Sequence, residues 1–330
     1  MATRTTDHAI PPMMKAAAID RYGPPSVLKL HELPTPEPEA DQVLIAVHSA
    51  GIGSWDAAMR DGSWPAPGRA RFPRVLGLDG SGVVAAKGKR VRRFAIGDAV
   101  WAYDYEEGGF YAQYVAVSAD NVARIPRRLA LRDAGAGAVT GLTALQGVAD
   151  TADVRRGSTV LVFGATGAVG TLALQFAASR GARVIATATG RKADTLVRKL
   201  GARSAVDARS KRAVDEVNDA APDGIDVVLA FAGGRELERL LDLVRRGGRV
   251  VYPNGVEPEP ERRPGVRMRS YDAAVGVTEF AHLARAVETA RLRVPIAGAY
   301  PLSQAAAAHR RLKGGHVLGR LVLAVRRDQT

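Results

Sequence analysis

The sequence predicts a two-domain α/β protein in which a small β-barrel is followed by a doubly wound parallel sheet. Three observations support this fold class. The chain has 330 residues, which corresponds to two domains at about 100–200 residues each. Its first third reads as short strands between turns that contain glycine and proline. From about Arg127 onwards, strands alternate with helices, which is typical of a parallel sheet covered on both faces.

The first third contains six predicted strands. Runs rich in valine, isoleucine and leucine indicate strands, and segments such as Tyr22-Gly23-Pro24-Pro25 indicate the turns between them. The predicted strands cover residues 15–20, 27–33, 42–50, 80–86, 98–102 and 111–117.

The remainder of the chain has the alternating pattern. Residues 158–163 form an unbroken apolar run, as expected for a strand that is buried on both faces. Residues 171–180 carry apolar side chains at helical spacing. Further strands are predicted at 183–187, 225–231, 249–252, 295–302 and 319–325, with helices at 193–200, 236–244, 279–290 and 304–313.

Composition excludes several kinds of protein and site. Apolar residues make up 46% of the chain and charged residues 25%, which rules out a disordered or fibrous chain. Cysteine is absent, so disulfides, thiolate catalysis, iron–sulfur clusters and thiolate-bound zinc are excluded. The net charge is +13, but the basic residues are scattered, so neither nucleic acid nor a membrane surface is predicted as a partner.

No targeting or membrane segment is predicted. Residues 1–12 are polar and have no apolar core, so segment 1–13 is predicted to be disordered and not a signal peptide. No apolar run reaches the ~18 residues that a membrane span needs. The expected location is therefore the cytoplasm.

A glycine-rich loop is the strongest local motif. Gly164, Gly167 and Gly170 lie three residues apart between a buried strand and a helix. The first glycine permits a tight turn, the second lets a pyrophosphate approach the backbone, and the third lets the helix pack on the sheet. A turn without a ligand is the alternative, but the flanking strand and helix favour a dinucleotide site. The predicted cofactor-binding residues of this loop are Gly164, Ala165, Thr166, Gly167, Ala168 and Val169.

The end of the next strand favours NADP(H) over NAD(H). An NAD site usually places an acid there for the ribose 2′-hydroxyl, but no acid occurs between Gly170 and Asp194. Thr187, Thr189 and Arg191 offer hydroxyl groups and a guanidinium, which suit a 2′-phosphate. The alternative is that Arg191 only begins a solvated helix.

Motifs for several other active sites are missing. The chain has no G-x-S-x-G nucleophile elbow and no G-x-x-x-x-G-K-[ST] phosphate loop. Its six histidines do not have the H-E-x-x-H spacing of zinc proteases. The sequence therefore offers no hydrolase or nucleotide triphosphatase site of these kinds.

The whole pattern resembles the medium-chain dehydrogenase/reductase superfamily, from Met14 almost to the end. This resemblance implies a GroES-like catalytic domain over 1–127, a Rossmann NADP-binding domain over 128–270, and a return to the catalytic domain over 271–330. Its landmarks are the motifs G-I-G-S-W-D at 51–56, F-P-R-V-L-G-L-D-G-S-G-V-V at 72–84, G-D-A-V at 97–100, G-G-F-Y-A-Q-Y-V at 108–115, and K-G-G-H-V-L-G-R-L-V-L at 313–323.

Within this superfamily the chain resembles the zinc-independent, quinone oxidoreductase-like and enoyl reductase-like branch. The metal-ligand positions of zinc alcohol dehydrogenases match Gly53, Leu78-Asp79 and about Ala136, so no zinc site is predicted. The resemblance implies NADPH-dependent hydride transfer to a quinone or to the C=C bond of an α,β-unsaturated carbonyl. A carbonyl reductase of the same fold and a non-catalytic NADPH-binding protein remain alternatives.

The resemblance also assigns candidate site residues. It places Thr140 under the nicotinamide, and it places Phe231, Ala232, Gly233 and Asn254 along the same crevice. Ordinary turn chemistry is the alternative for each of them. The predicted substrate pocket consists of Ser54, Trp55, Trp64, Tyr103 and Tyr105.

The chain departs from the family in its proton donor. Many quinone oxidoreductases have Asn where this chain has Gly53, and tyrosines where it has Ala58 and Trp64. Tyr103 and Tyr105 are the candidate substitutes, and water is the alternative donor. Residues 266–270 resemble the edge strand through which these proteins form dimers, so a homodimer is expected.

Overall fold

The computed structural model describes residues 10–64 and 71–326, which form sixteen strands and eight α-helices. The first strand begins at Met13, inside the segment 1–13 that was predicted to be disordered. The Pro12 carbonyl also accepts a hydrogen bond from the Thr35 amide, at 2.9 Å. The prediction of disorder is therefore wrong at Met13, and residues 1–9 lie outside the described residues.

The first part of the chain forms the predicted β-barrel. One sheet has the order β15-β16-β3-β5-β6-β8, with β7 also paired to β3, and a smaller sheet has the order β2-β1-β4. Strands β15 (Ile296–Pro301) and β16 (Arg320–Ala324) come from the end of the chain. Trp101, Phe110 and Tyr111 are fully buried and belong to the large hydrophobic core of the protein. The strands are β1 (Met13–Ile19), β2 (Leu28–Pro34), β3 (Gln42–Ile52), β4 (Arg74–Val75), β5 (Asp79–Lys87), β6 (Ala99–Tyr103), β7 (Tyr114–Ser118) and β8 (Val122–Arg124).

The second part forms the predicted doubly wound sheet, and all of its strand pairs are parallel. The strand order is β11-β10-β9-β12-β13-β14, and every residue of the central strand β9 is buried, as its apolar run predicted. The strands are β9 (Thr159–Phe163), β10 (Arg183–Thr187), β11 (Ser204–Val206), β12 (Ile225–Ala230), β13 (Val244–Pro253) and β14 (Arg267–Tyr271). The helices are α3 (Ala168–Ser179), α4 (Arg191–Lys199), α5 (Ala213–Ala220) and α6 (Arg235–Leu241).

Two helices near the junction of the domains were not predicted. These are α1 (Ser54–Asp61) and α2 (Leu131–Gln146). Residues 134–144 of α2 are all buried, so the helix is apolar all round and shows no amphipathic period. Its three glycines also lower its intrinsic helix propensity. The helix forms because it packs between the barrel strands β3, β5 and β6 on one side and α3 on the other.

The end of the chain returns to the barrel. Helix α7 (Val277–Ala290) packs against α2 and α3, and it is followed by β15 (Ile296–Pro301), α8 (Ala305–Lys313) and β16 (Arg320–Ala324). Strand β16 pairs antiparallel with β3, with Leu321 opposite Ile52. The last strand therefore lies at the boundary between the barrel and the parallel sheet. In the described part of the chain, no helix is long and apolar enough to span a membrane.

Candidate functional site

A main cleft of ≈ 1110 Å³ opens between the barrel and the parallel sheet. Its walls include the glycine-rich loop, the first turn of α1, the face of α2 that carries Val139 and Thr143, the loops after β6, β12 and β13, and the segment after β14. The start of β16 closes the cleft on the barrel side. Because elements of both domains line it, this cleft is the candidate active site.

The glycine-rich loop has the backbone geometry that its spacing predicted. Gly164 has a φ of +76°, which suits glycine, and a Cβ on Gly170 would lie 2.2 Å from the Gly164 carbonyl oxygen. Gly167 precedes the first residue of α3, and a Cβ there would meet only the Gly164 oxygen, at 3.4 Å. The N-terminus of α3 therefore faces open space, where its free N–H groups can receive an anion.

Two hydrogen bonds fix this loop to its neighbours. The Gly164 N–H donates to the Thr187 hydroxyl oxygen at 2.9 Å, which ties the loop to the end of β10. The Gly319 N–H donates to the Thr166 carbonyl at 2.8 Å, which ties it to the start of β16. The loop is thus held in place from both domains.

Most of the other predicted cofactor-binding residues also reach a cleft. Gly164, Gly167, Ala168, Val169, Phe231, Ala232 and Asn254 line the main cleft. Asn254 is oriented by Asp272, whose carboxylate accepts a hydrogen bond from the Asn254 side-chain amide at 2.7 Å.

Thr140 and Ala165 lie elsewhere. Both side chains are fully buried, and the Thr140 hydroxyl donates to the Ala136 carbonyl at 2.8 Å inside α2. Val139 and Thr143, four residues apart and therefore on one face of the helix, line the cleft instead. The role of Thr140 in cofactor binding stays a prediction.

A second cleft of ≈ 570 Å³ lies where the carboxyl ends of β9, β10 and β11 meet. Among the described residues, its charged lining consists of Arg191, Lys192 and Arg209 with a single acid, Glu236. The three basic side chains are exposed, and within the described part of the chain they form no ion pair. The other lining residues include Thr166, Thr187, Thr189, Gly233 and His316. This cleft is a positively charged extension of the glycine-rich loop.

The hydroxyl groups of the two predicted threonines, Thr187 and Thr189, are hydrogen-bonded to other protein groups. The Thr187 hydroxyl holds Gly164, and the Thr189 hydroxyl donates to an Asp207 carboxylate oxygen at 2.9 Å. The basic side chains are therefore the groups available to an anionic ligand. Arg209 was missed because β11, which precedes it, has only three residues and was not predicted.

All five side chains predicted for the substrate pocket line the main cleft. They are Ser54, Trp55, Trp64, Tyr103 and Tyr105. The rings of Trp64 and Tyr105 meet edge to face, with centroids 6.0 Å apart. Tyr103 is 6% exposed, and burial raises the pKa of its hydroxyl well above its usual range, so this group stays protonated. Tyr105 is 53% exposed and lies at the mouth of the cleft.

An ion pair and an indole ring fill the region where zinc dehydrogenases hold their metal. Arg320 makes two hydrogen bonds to the Asp79 carboxylate, at 2.7 and 2.5 Å, and one to the Ala136 carbonyl at 3.1 Å. Its guanidinium also lies 5.4 Å from the Trp55 ring centroid.

The residues in this region do not fit a zinc ion. A Cβ on Gly53 would lie 2.2 Å from the Trp55 ring, so a longer ligand side chain has no room there. Asp79, the one carboxylate at these positions, is fully buried and already paired with Arg320. Within residues 10–64 and 71–326, no group of three or more His, Asp or Glu residues could hold a metal.

Buried polar side chains that are hydrogen-bonded to one another hold helix α1 in place. The His309 imidazole lies 3.0 Å from an Arg60 nitrogen through Nδ1 and 3.2 Å from the Tyr111 hydroxyl through Nε2. Burial lowers the pKa of His309 to about 3, so the ring is neutral, accepts from Arg60 and donates to Tyr111. Asp56 accepts a hydrogen bond from the Gly53 N–H at 2.7 Å, and burial raises the pKa of its carboxyl to about 7. These contacts fix the turn that carries Ser54 and Trp55.

Comparisons with known proteins agree with this architecture. Residues 39–127 match the family described as alcohol dehydrogenase GroES-like domain, and residues 200–323 match the family described as zinc-binding dehydrogenase. The chain is 30% identical over 327 residues to a quinone oxidoreductase of Mus musculus, covering 94% of this chain and 98% of that protein.

Solved structures are similar over nearly the whole chain. A crystal structure of an NAD-dependent alcohol dehydrogenase has a TM-score of 0.88 at 31% identity and covers 95% of this chain and 100% of its own. A mycobacterial protein in complex with NADPH has a TM-score of 0.83 at 26% identity and covers 94% of this chain and 99% of its own. The fold is therefore shared with proteins described with each of the two nicotinamide cofactors.

Proposed function

Because this chain belongs to the quinone oxidoreductase-like branch of the medium-chain dehydrogenase/reductase superfamily, we propose that it is an NADPH-dependent, zinc-free oxidoreductase. Its acceptor is a quinone or the C=C bond of an α,β-unsaturated carbonyl. The observation that carries this proposal is the lining of the main cleft, which combines an anion-receiving loop with a group of aromatic side chains. A dinucleotide bound at the loop would bring its reacting end towards the aromatic side chains.

In this proposal the protein contributes binding, orientation and the exclusion of water. When bound, NADPH would supply a hydride with its electron pair to an electron-poor carbon of the acceptor. The N–H groups at the start of α3 would hold the pyrophosphate, and Trp55 and Trp64 would line the space for a planar acceptor. The balancing proton comes from water or from Tyr105, whose exposure connects the cleft with solvent.

The second cleft supports NADPH as the preferred cofactor. Arg191, Lys192 and Arg209 provide three positive charges against the single carboxylate of Glu236. A 2′-phosphate carries up to two negative charges, and arginine binds such groups with paired, charge-assisted hydrogen bonds. An unphosphorylated ribose gains little from these side chains.

Arg191→Ala is expected to weaken NADPH binding by about 10- to 100-fold, since one charge-assisted interaction is worth about 1.5–3 kcal/mol. NADH affinity should change less than about twofold. Titration of cofactor fluorescence with both cofactors measures this. Arg203→Ala, which removes an exposed arginine outside the cleft, is the matched control. Equal losses for NADPH and NADH would remove the 2′-phosphate role of Arg191.

A homodimer through β14 forms part of the same proposal. Strand β14 is the last strand of the six-stranded sheet, and three of its five residues are exposed. Light scattering in solution should give twice the monomer mass of 34.9 kDa. A monomer mass at micromolar concentration would contradict this assembly. The cytoplasmic location stays a prediction.

A further inference from the structure

The segment that follows β14 forms one wall of the main cleft. Asp272, Ala273, Ala274 and Val275 all line it, between the end of β14 and the start of α7. The segment belongs to no helix or strand, so its position depends on the side chains that hold it.

Gln146, the last residue of α2, holds this segment by two hydrogen bonds. Its side-chain nitrogen donates to the Ala274 carbonyl at 2.8 Å, and its side-chain oxygen accepts from the Ala274 N–H at 2.9 Å. The Gln146 amide satisfies both backbone polar groups of Ala274. The two bonds therefore fix the position and the orientation of this part of the wall. The Tyr271 hydroxyl adds a third bond, to the Thr143 carbonyl at 2.7 Å.

These contacts couple two walls of the cleft. Helix α2 presents Val139 and Thr143 to the cleft, and the segment it holds lies directly alongside. Gln146 does not line the main cleft, so its effect on a ligand there acts through Ala274. A shift of this wall would change the space left for the reacting groups.

We infer that Gln146 is a positioning residue, which sets the place of the 272–275 wall and so the separation of hydride donor and acceptor. The inference rests on the proposed function. Hydride transfer needs reacting atoms about 3–3.5 Å apart, and a misplacement of about 1 Å can cost up to about 100-fold in rate. A more mobile wall would therefore reduce the rate of hydride transfer more than it reduces the affinity for the cofactor.

The chain contains a matched control. Gln175 in α3 makes the same pair of bonds to another loop residue, donating to the Arg293 carbonyl at 2.8 Å and accepting from the Arg293 N–H at 2.9 Å. Neither Gln175 nor Arg293 lines the main cleft. Gln175 is also the more deeply buried of the two glutamines. Its replacement removes the same pair of bonds, together with a bond from the Gln175 side-chain nitrogen to the Thr171 carbonyl at 2.8 Å, at a position away from the main cleft.

The experiment compares Gln146→Ala with Gln175→Ala in the full chain. For Gln146→Ala we expect kcat/KM for the quinone acceptor to fall about 10-fold. We expect the NADPH Kd to change less than about threefold, and the preference for NADPH over NADH to be unchanged. For Gln175→Ala we expect a lower Tm with kcat/KM within about twofold of the parent protein.

Hydrogen exchange separates this inference from the proposed function. Backbone amides of 271–276 should exchange faster in Gln146→Ala, whether or not the protein turns over any acceptor, and those of 291–294 should exchange faster in Gln175→Ala. Unchanged exchange at 271–276 in Gln146→Ala would overturn the positioning role. Where the parent protein is active, an equal loss of kcat/KM in both variants would also overturn the positioning role.

Discussion

Gly167→Val is expected to weaken the binding of both NADPH and NADH by at least about 100-fold, equivalent to about 2.7 kcal/mol, while the protein stays folded. The structure leaves room for the first carbon of the new side chain, because a Cβ on Gly167 meets only one protein atom, at 3.4 Å. The added carbons would occupy the space above the start of α3 that the pyrophosphate needs. Isothermal titration with each cofactor measures the loss.

Gly170→Ala provides the contrast for this prediction. Its Cβ would lie 2.2 Å from the Gly164 carbonyl oxygen, so the expected effect is lower thermal stability of the whole domain. Circular dichroism should show a normal fold for Gly167→Val, with a Tm close to that of the parent protein. If Gly167→Val bound both cofactors normally, the loop could not be the pyrophosphate site.

Arg320→Met is expected to lower the free energy of unfolding by about 3–5 kcal/mol, which is typical when one member of a buried ion pair is removed. Asp79 is fully buried, and the substitution takes away both hydrogen bonds that Arg320 donates to its carboxylate. Urea unfolding, followed by circular dichroism, measures the change.

The double variant Asp79→Leu with Arg320→Met tests the cause of that loss. Replacing a buried pair by apolar residues of similar size removes the isolated charge, so most of the stability should return. A single Arg320→Met variant as stable as the parent protein would contradict the account. So would a double variant less stable than the single one, because the loss would then not come from an unpaired Asp79.

Local sequence signals predicted the backbone of the glycine-rich loop. The glycine-rich loop needs only one strand, one turn and one helix, and the backbone of Gly164 and Gly170 confirms the expected turn and close packing. The five substrate-pocket residues came from resemblance to a family and lie around one cleft. They are contributed by the start of α1, the residues after α1, and the end of β6 with the loop that follows it.

Contacts between distant segments were not predictable in the same way. Asp79 and Arg320 are 241 residues apart, and only the return of β16 beside β3 brings them together. The side of α2 that faces the cleft, which carries Val139 and Thr143, could not be predicted from a helix that is buried all round. The hydrogen bonds between Gln146 and Ala274 also join distant parts of the chain, in a region where α7 packs against α2.

The most direct test of the proposed activity is NADPH oxidation by the purified protein with four acceptors: a naphthoquinone, a 2-alkenal, a cyclic enone and a saturated aldehyde. The account predicts turnover of the quinone or of the conjugated carbonyls, and none of the saturated aldehyde. Turnover of the saturated aldehyde would contradict it in favour of a carbonyl reductase. NADPH binding without turnover of any acceptor would contradict it in favour of a non-catalytic binding protein.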